Sequence, residues 1–141
     1  MMLFIYSHEG VYNGKKYVML EDFFNYQQAA VTCTEHGATL AMASDADTFN
    51  FMFNILHTYN EQGGDILGVY VDGSRRVINR QSSDWWCVAT ESECGDVLPW
   101  QTGKPDGTDS QRCVSIDKYH NSGVVDSVCY LIKMVMCQYS P

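Results

Sequence analysis

Apolar side chains return at helical intervals over residues 21–36, where Tyr26, Ala29, Ala30 and Cys33 sit at i, i+3, i+4 and i+7. On a 3.6-residue repeat these positions share one face, which predicts an amphipathic helix. Glu21 and Asp22 suit its start, because carboxylates are favoured at the positive end of a helix dipole. Gly37 suits its end, as a residue that takes the left-handed C′ conformation without strain. A second stripe, Phe49, Met52, Phe53 and Leu56, follows Ser44 and Asp47, which are spaced like a capping box. This Phe/Met stripe reads as core packing. Strand-like runs lie at residues 10–19 before the helices, at 65–71 after them, and at 112–116, 123–128 and 131–138.

Residues 72–110 break this regularity. They hold all three tryptophans (Trp85, Trp86, Trp100) and two of the three prolines among many Gly, Ser, Asp and Gln. The stretch reads as a long loop, and a loop this rich in tryptophan is expected to be ordered and functional. Helices first and strands later imply an α+β fold with an antiparallel sheet. At 141 residues the chain has the length of one domain, so residues 1–141 are assigned to a single unit.

Charge narrows the partners. Nine Lys+Arg against 17 Asp+Glu leave a net charge of −8, which repels phosphate backbones, and no basic run offsets it. Nucleic acid is excluded as a partner. The apolar start, residues 1–6, is shorter than the 7–15 residues of a signal h-region and far short of the ~20 of a membrane span. No transmembrane segment is predicted, and the chain reads as a mature form whose export is inferred from its cysteines.

There are six of these: Cys33, Cys87, Cys94, Cys113, Cys129 and Cys137. None forms a CxxC pair of the kind zinc sites use, so three disulfides and an extracellular, secreted location are expected. Six cysteines permit 15 pairings, and spacing alone does not choose among them. His8, His36, His57 and His120 lack close ligand partners, and no serine sits in a nucleophile elbow. The chain is not expected to be an enzyme.

Taken in order, several motifs resemble a C-type lectin-like domain over nearly the whole chain. Tyr26, Ala29 and Cys33 match W-x-x-A-x-x-x-C with Tyr for Trp, and the segment from Cys33 through Gly37 to Leu40-Ala41 fits C-x-x-x-G-x-x-L-A. Ile66-Leu67-Gly68-Val69 stands where that family has W-I-G-L, and Trp100 through Gly103 to Pro105-Asp106 aligns with W-x-x-G-x-P-N/D. Cys113, Asp126-Ser127-Val128-Cys129 and Cys137 complete the series. The resemblance implies two helices flanking antiparallel sheets with a long loop region, and disulfides Cys33–Cys137 and Cys113–Cys129, which leave Cys87 and Cys94 for each other.

Sugar-binding members of that family hold Ca²⁺ beside the loop proline. This sequence departs from their ligand set: Lys104 replaces the first oxygen donor, Asp106 is kept, Gln111 stands for a Glu, and Val124-Val125-Asp126 replaces W-N-D. Ca²⁺ takes six to eight oxygen ligands, several of them anionic. Asp106 and Asp126 remain as residual candidates, and Lys104 brings a cation to the place of the ion. No cofactor is expected at the usual calcium site; instead the Lys104 ammonium is expected to bridge Asp106 and Asp126. Ligand-binding candidates are Lys104, Asp106, Gln111, Asp126 and Trp86, since one of the adjacent Trp85 and Trp86 would face outward on a strand. Trp100 is expected to pack beneath the loop. Asp84, Glu91, Glu93, Asp96 and Asp109 read as a solvated acidic face, with a cation bound away from the usual calcium site or a basic partner as the alternatives. The resemblance implies a carbohydrate or pattern-recognition module of innate-immunity type, with a glycan on a cell or microbial surface as partner. The alternatives are a protein ligand bound without calcium, or an extracellular structural component. Homo-oligomerisation stays open.

Overall fold

A computed structural model of the chain describes residues 8–78, 81–107 and 111–140. The short apolar start at residues 1–6 and Asp109 lie outside the described residues. The first predicted strand is a hairpin. β1 (Glu9–Tyr12) and β2 (Lys15–Phe24) pair across Asn13-Gly14, whose φ angles of 52° and 81° are both positive. Asn-Gly is the dipeptide that tolerates such angles, and a tight turn with both φ positive matches the twist of its flanking strands.

β2 runs on through Glu21 and Asp22, where the sequence suggested a helix start. Phe24 pairs with Lys133 across a register shift, so ladder hydrogen bonds prevail over a modest dipole preference. The first helix, α1 (Tyr26–Glu35), begins one turn later. Asn25 Oδ1 accepts from the Gln28 amide at 2.9 Å, and Gln28 Oε1 accepts from the Asn25 amide at 3.0 Å, a reciprocal capping box. It stops as expected at Gly37 (φ 75°), with Ala38 N–H on the Cys33 carbonyl and Gly37 N–H on that of Thr34. The second helix, α2 (Ala46–Glu61), is capped by Asp45 rather than Ser44, through a 2.7 Å bond from the Thr48 amide. Aspartate at this position accepts the bond and carries the favoured charge as well.

The remaining strands are β3 (Thr39–Leu40), β4 (Gly68–Ile78), β5 (Gln81–Cys87), β6 (Ser92–Glu93), β7 (Cys113–Asp117), β8 (Val125–Ser127) and β9 (Lys133–Tyr139). The sheet runs β1-β2-β9-β4-β5-β6, with β3 on β9, β7 on β4 and β8 on β7. Among the described residues the strand pairs are antiparallel except β4 with β9. The stretch predicted as one long loop therefore opens with strands. The rest of β4, all of β5 and β6 occupy it as far as Glu93. A Ser/Asp/Gln-rich ribbon joins a sheet through its backbone, so apolar alternation is not required to place it there.

One face of α2, with Phe49, Met52 and Leu56 buried, packs on Met19, Val69, Val71, Ile116, Met134 and Met136. A smaller cluster joins Ala29 and Cys33 of α1 to Leu40, Tyr70, Val135 and Cys137. Three disulfides close the frame: Cys33–Cys137 and Cys113–Cys129, the pairings implied by the resemblance, and Cys87–Cys94, the pair these leave. No helix among the described residues is long and apolar enough to cross a membrane.

Candidate functional site

The segment before β7 is pinned by backbone bonds to Val124, the residue just before β8. Trp100 bridges Val124, the Gln101 amide donates to the Val124 carbonyl at 2.9 Å, and the Val124 amide donates to that of Pro99 at 2.9 Å. Below it, Trp100 packs edge-to-face on the buried Trp85 with centroids 4.9 Å apart, and its Nε1 donates to the Gly95 carbonyl. The tryptophan is thus the floor of the loop, as expected. Above this floor the chain turns through Gly103 (φ 85°), and the Lys104–Pro105 peptide bond is cis.

That turn gathers four of the five predicted ligand-binding residues. Lys104 Nζ donates to Asp106 Oδ1 at 3.0 Å. This hydrogen bond, with help from the fields of Asp106, Asp126 and Asp117, pushes the Lys104 pKa above its ordinary value, so the side chain stays cationic. Asp126, on β8 opposite Val114, is buried. Its Oδ1 accepts from the Asp106 amide at 3.3 Å and its Oδ2 from the Gly107 amide at 2.7 Å. Gln111 closes the ring: a Cβ added at Gly107 would meet its Oε1 at 2.2 Å and Asp126 Oδ2 at 2.4 Å. Trp86 is half-buried on β5, in register with Ser74 and Glu93 rather than with this turn.

The expected bridge from Lys104 to both carboxylates is therefore replaced by a division of labour. Lys104 pairs with Asp106, while Asp126 takes two backbone amides. A buried carboxylate that accepts amide hydrogen bonds is satisfied without a cation, whereas the half-exposed Asp106 is free to turn toward the ammonium.

The same geometry bears on calcium. Both Asp126 oxygens already accept hydrogen bonds, and Asp106 faces an ammonium group. Gln111 adds a neutral amide. These three side chains, as arranged, offer two engaged carboxylates and one amide, fewer than the six to eight oxygens Ca²⁺ takes. Among the described residues no three His, Cys, Asp or Glu side chains converge as metal ligands. Glu91, Glu93 and Asp96 are exposed, in line with a solvated acidic face, while the Asp84 side chain lies outside what is described. Each histidine has a local neighbour instead of a cluster: Glu21 for His8, the Thr32 carbonyl for His36, Glu61 for His57 and Asp117 for His120.

One residue escaped the sequence reading. Asp72 is fully buried in β4, and its carboxylate accepts from the Val88 amide at 2.9 Å and the Ala89 amide at 2.7 Å. It anchors the Cys87–Cys94 loop to the sheet. Burial raises its pKa, and the amide bonds work in the opposite direction. A carboxylate ending the apolar run Val69-Tyr70-Val71 was the available signal, because such a group needs partners.

The two helices, the sheet order and the three disulfides give this chain the fold of C-type lectin-like domains. Human lithostathine superposes with a TM-score of 0.76 at 18% identity, covering 95% of this chain and 98% of that one. The mouse scavenger receptor C-type lectin carbohydrate-recognition domain gives 0.72 at 15%, covering 94% and 95%. A calcium-independent type II antifreeze protein gives 0.73 at 14%, covering 94% and 92%. No family model and no curated protein matches the sequence. At these identities the likeness is one of fold.

Proposed function

We propose that this protein is a secreted recognition module that binds carbohydrate without calcium through the turn at Lys104–Gly107. The observation that carries the reading is the Asp126 carboxylate, held by the Asp106 and Gly107 amides, which keeps the turn in shape without a metal. The Lys104 ammonium, the exposed Asp106 carboxylate and the Gln111 amide then face a ligand as direct donors and acceptors for vicinal hydroxyls. Three disulfides suit an oxidising compartment. Solved structures of this fold include a complex of SPL-1 with GlcNAc and a calcium-independent type II antifreeze protein, so sugar binding and calcium independence each occur within the fold.

A second reading, a protein ligand, draws on Val88 and Val97, which are about half exposed beside the Cys87–Cys94 rung. A glycan array run with calcium and again with EDTA separates the two. The first reading expects the same glycans to be retained in both buffers and lost in Lys104→Ala. An array silent in both buffers favours the protein ligand.

A further inference from the structure

A backbone nitrogen can attack the side-chain carbonyl carbon of the Asn or Asp just before it and close a succinimide ring. Glycine in the attacking position favours this step, since no Cβ shields its nitrogen and its backbone reaches the required angles freely. The sequence holds three such steps: Asn13-Gly14, Asp72-Gly73 and Asp106-Gly107. The fold treats them differently.

Two of the three are locked. Asp72 is buried, its carboxylate accepts from the Val88 and Ala89 amides, and the Gly73 N–H donates to the Tyr26 hydroxyl at 3.1 Å. The Gly107 N–H donates to Asp126 Oδ2 at 2.7 Å, and Lys104 holds Asp106 Oδ1 at 3.0 Å. In both places the attacking nitrogen is tied to another partner, so ring closure waits for a local opening of the structure. Asn13 and Gly14 are exposed at the tip of the β1–β2 hairpin. A Cβ added at Gly14 would meet nothing within 4 Å. Among the described residues no hydrogen bond engages the Asn13 side chain or the Gly14 N–H.

We propose that Asn13 is a site of spontaneous covalent modification, the one succinimide-forming step that the fold leaves open. The Gly14 nitrogen loses its proton to hydroxide and bonds to Asn13 Cγ, the Cγ–NH₂ bond breaks, and that nitrogen leaves as ammonia. Water from the surrounding solvent then opens the ring. Cleavage at Cγ gives aspartate, and cleavage at the original backbone carbonyl gives isoaspartate, with no change of oxidation state. Either product adds one negative charge to the net −8. Isoaspartate also inserts a backbone carbon into a two-residue turn whose length sets the pairing of Tyr12 with Lys15. The disturbance falls on an edge strand, since β1 pairs with β2 alone among the described strands, and Tyr12 of β1 stacks on Phe51 of α2 at 5.0 Å. The proposal uses no residue of the Lys104 turn and stands independently of the carbohydrate reading.

The test incubates the whole disulfide-bonded chain at mildly alkaline pH and follows each of the three steps by peptide mapping and isoaspartyl methyltransferase labelling. The reduced, urea-unfolded chain gives the reference rate for each step. In the folded chain Asn13 is expected to exchange NH₂ for OH and to take up the isoaspartate label. Its folded-to-unfolded rate ratio should exceed those of Asp72 and Asp106 by roughly tenfold or more, because a locked step proceeds only through the small open population. Asn13→Gly keeps a turn that accepts positive φ, and it should abolish the acidic shift seen on isoelectric focusing. The proposal is overturned if the folded chain keeps Asn13 intact while the unfolded chain converts it. It is equally overturned if Asp72 or Asp106 matches the Asn13 ratio, or if the acidic shift persists in Asn13→Gly.

Discussion

Gly107 donates its backbone N–H to Asp126 Oδ2 at 2.7 Å, and its missing side chain leaves the space that Gln111 and Asp126 fill. A methyl group there would sit 2.4 Å from that oxygen. Gly107→Ala should therefore displace the turn and cost about 1–3 kcal/mol, as overpacking generally does. Urea denaturation measures the loss. Unchanged stability together with unchanged glycan binding would contradict this account of the turn.

Asp126→Ala removes the charged acceptor of two part-buried amides. Losing such a partner costs about 1–3 kcal/mol. Asp106→Ala, at a side chain 55% exposed, removes only an ion pair of the surface type and should change stability by less than about 1 kcal/mol. Comparing the two variants by thermal unfolding checks which aspartate holds the turn together.

Asp72 gives a pH prediction with a definite sign. Its folded-state pKa is raised above the ordinary 3.8 by burial. The folded protein therefore binds this proton before the unfolded chain does, and stability from this group rises as pH falls through the raised value toward 3.8. Asp72→Asn, which does not titrate, should be less stable at neutral pH, since its NH₂ faces an amide donor. Its deficit relative to the parent should widen between neutral pH and pH 4. A deficit that narrows on acidification would mean that the amide bonds outweigh burial.

Cys33–Cys137 spans 104 residues, and closing so long a loop is worth about 4–5 kcal/mol in the chain-entropy model. Replacing both cysteines by Ala should lower stability by about 2–5 kcal/mol. Replacing Cys87 and Cys94, only seven residues apart, should cost less globally and act on the loop that Asp72 anchors. Non-reducing peptide maps of each variant, read beside denaturation curves, check both the pairing and the order of the two effects.

How much of this was legible in the sequence depends on where each partner lies. The Phe49–Leu56 stripe and the Gly37 stop are local signals, and they placed α2 and the end of α1. The start of α1 was misplaced because Glu21 and Asp22 resemble a helix beginning, while the bond that extends β2 past them comes from β9, over a hundred residues away. The Asn25–Gln28 capping box was present but masked by that stronger-looking signal. At the site, Lys104 and Asp106 are two residues apart and their pairing could be foreseen. The partners of Asp126 and Asp72 are backbone amides, which every residue carries, so composition gives no hint of them. Position in the fold alone selects them.

The central claim is that this turn is held by protein hydrogen bonds instead of a metal, and isothermal titration of calcium into the intact chain tests it most directly. The account predicts no saturable heat below millimolar calcium and no shift of the melting temperature on adding EDTA. Micromolar calcium binding abolished by Asp126→Ala would contradict it.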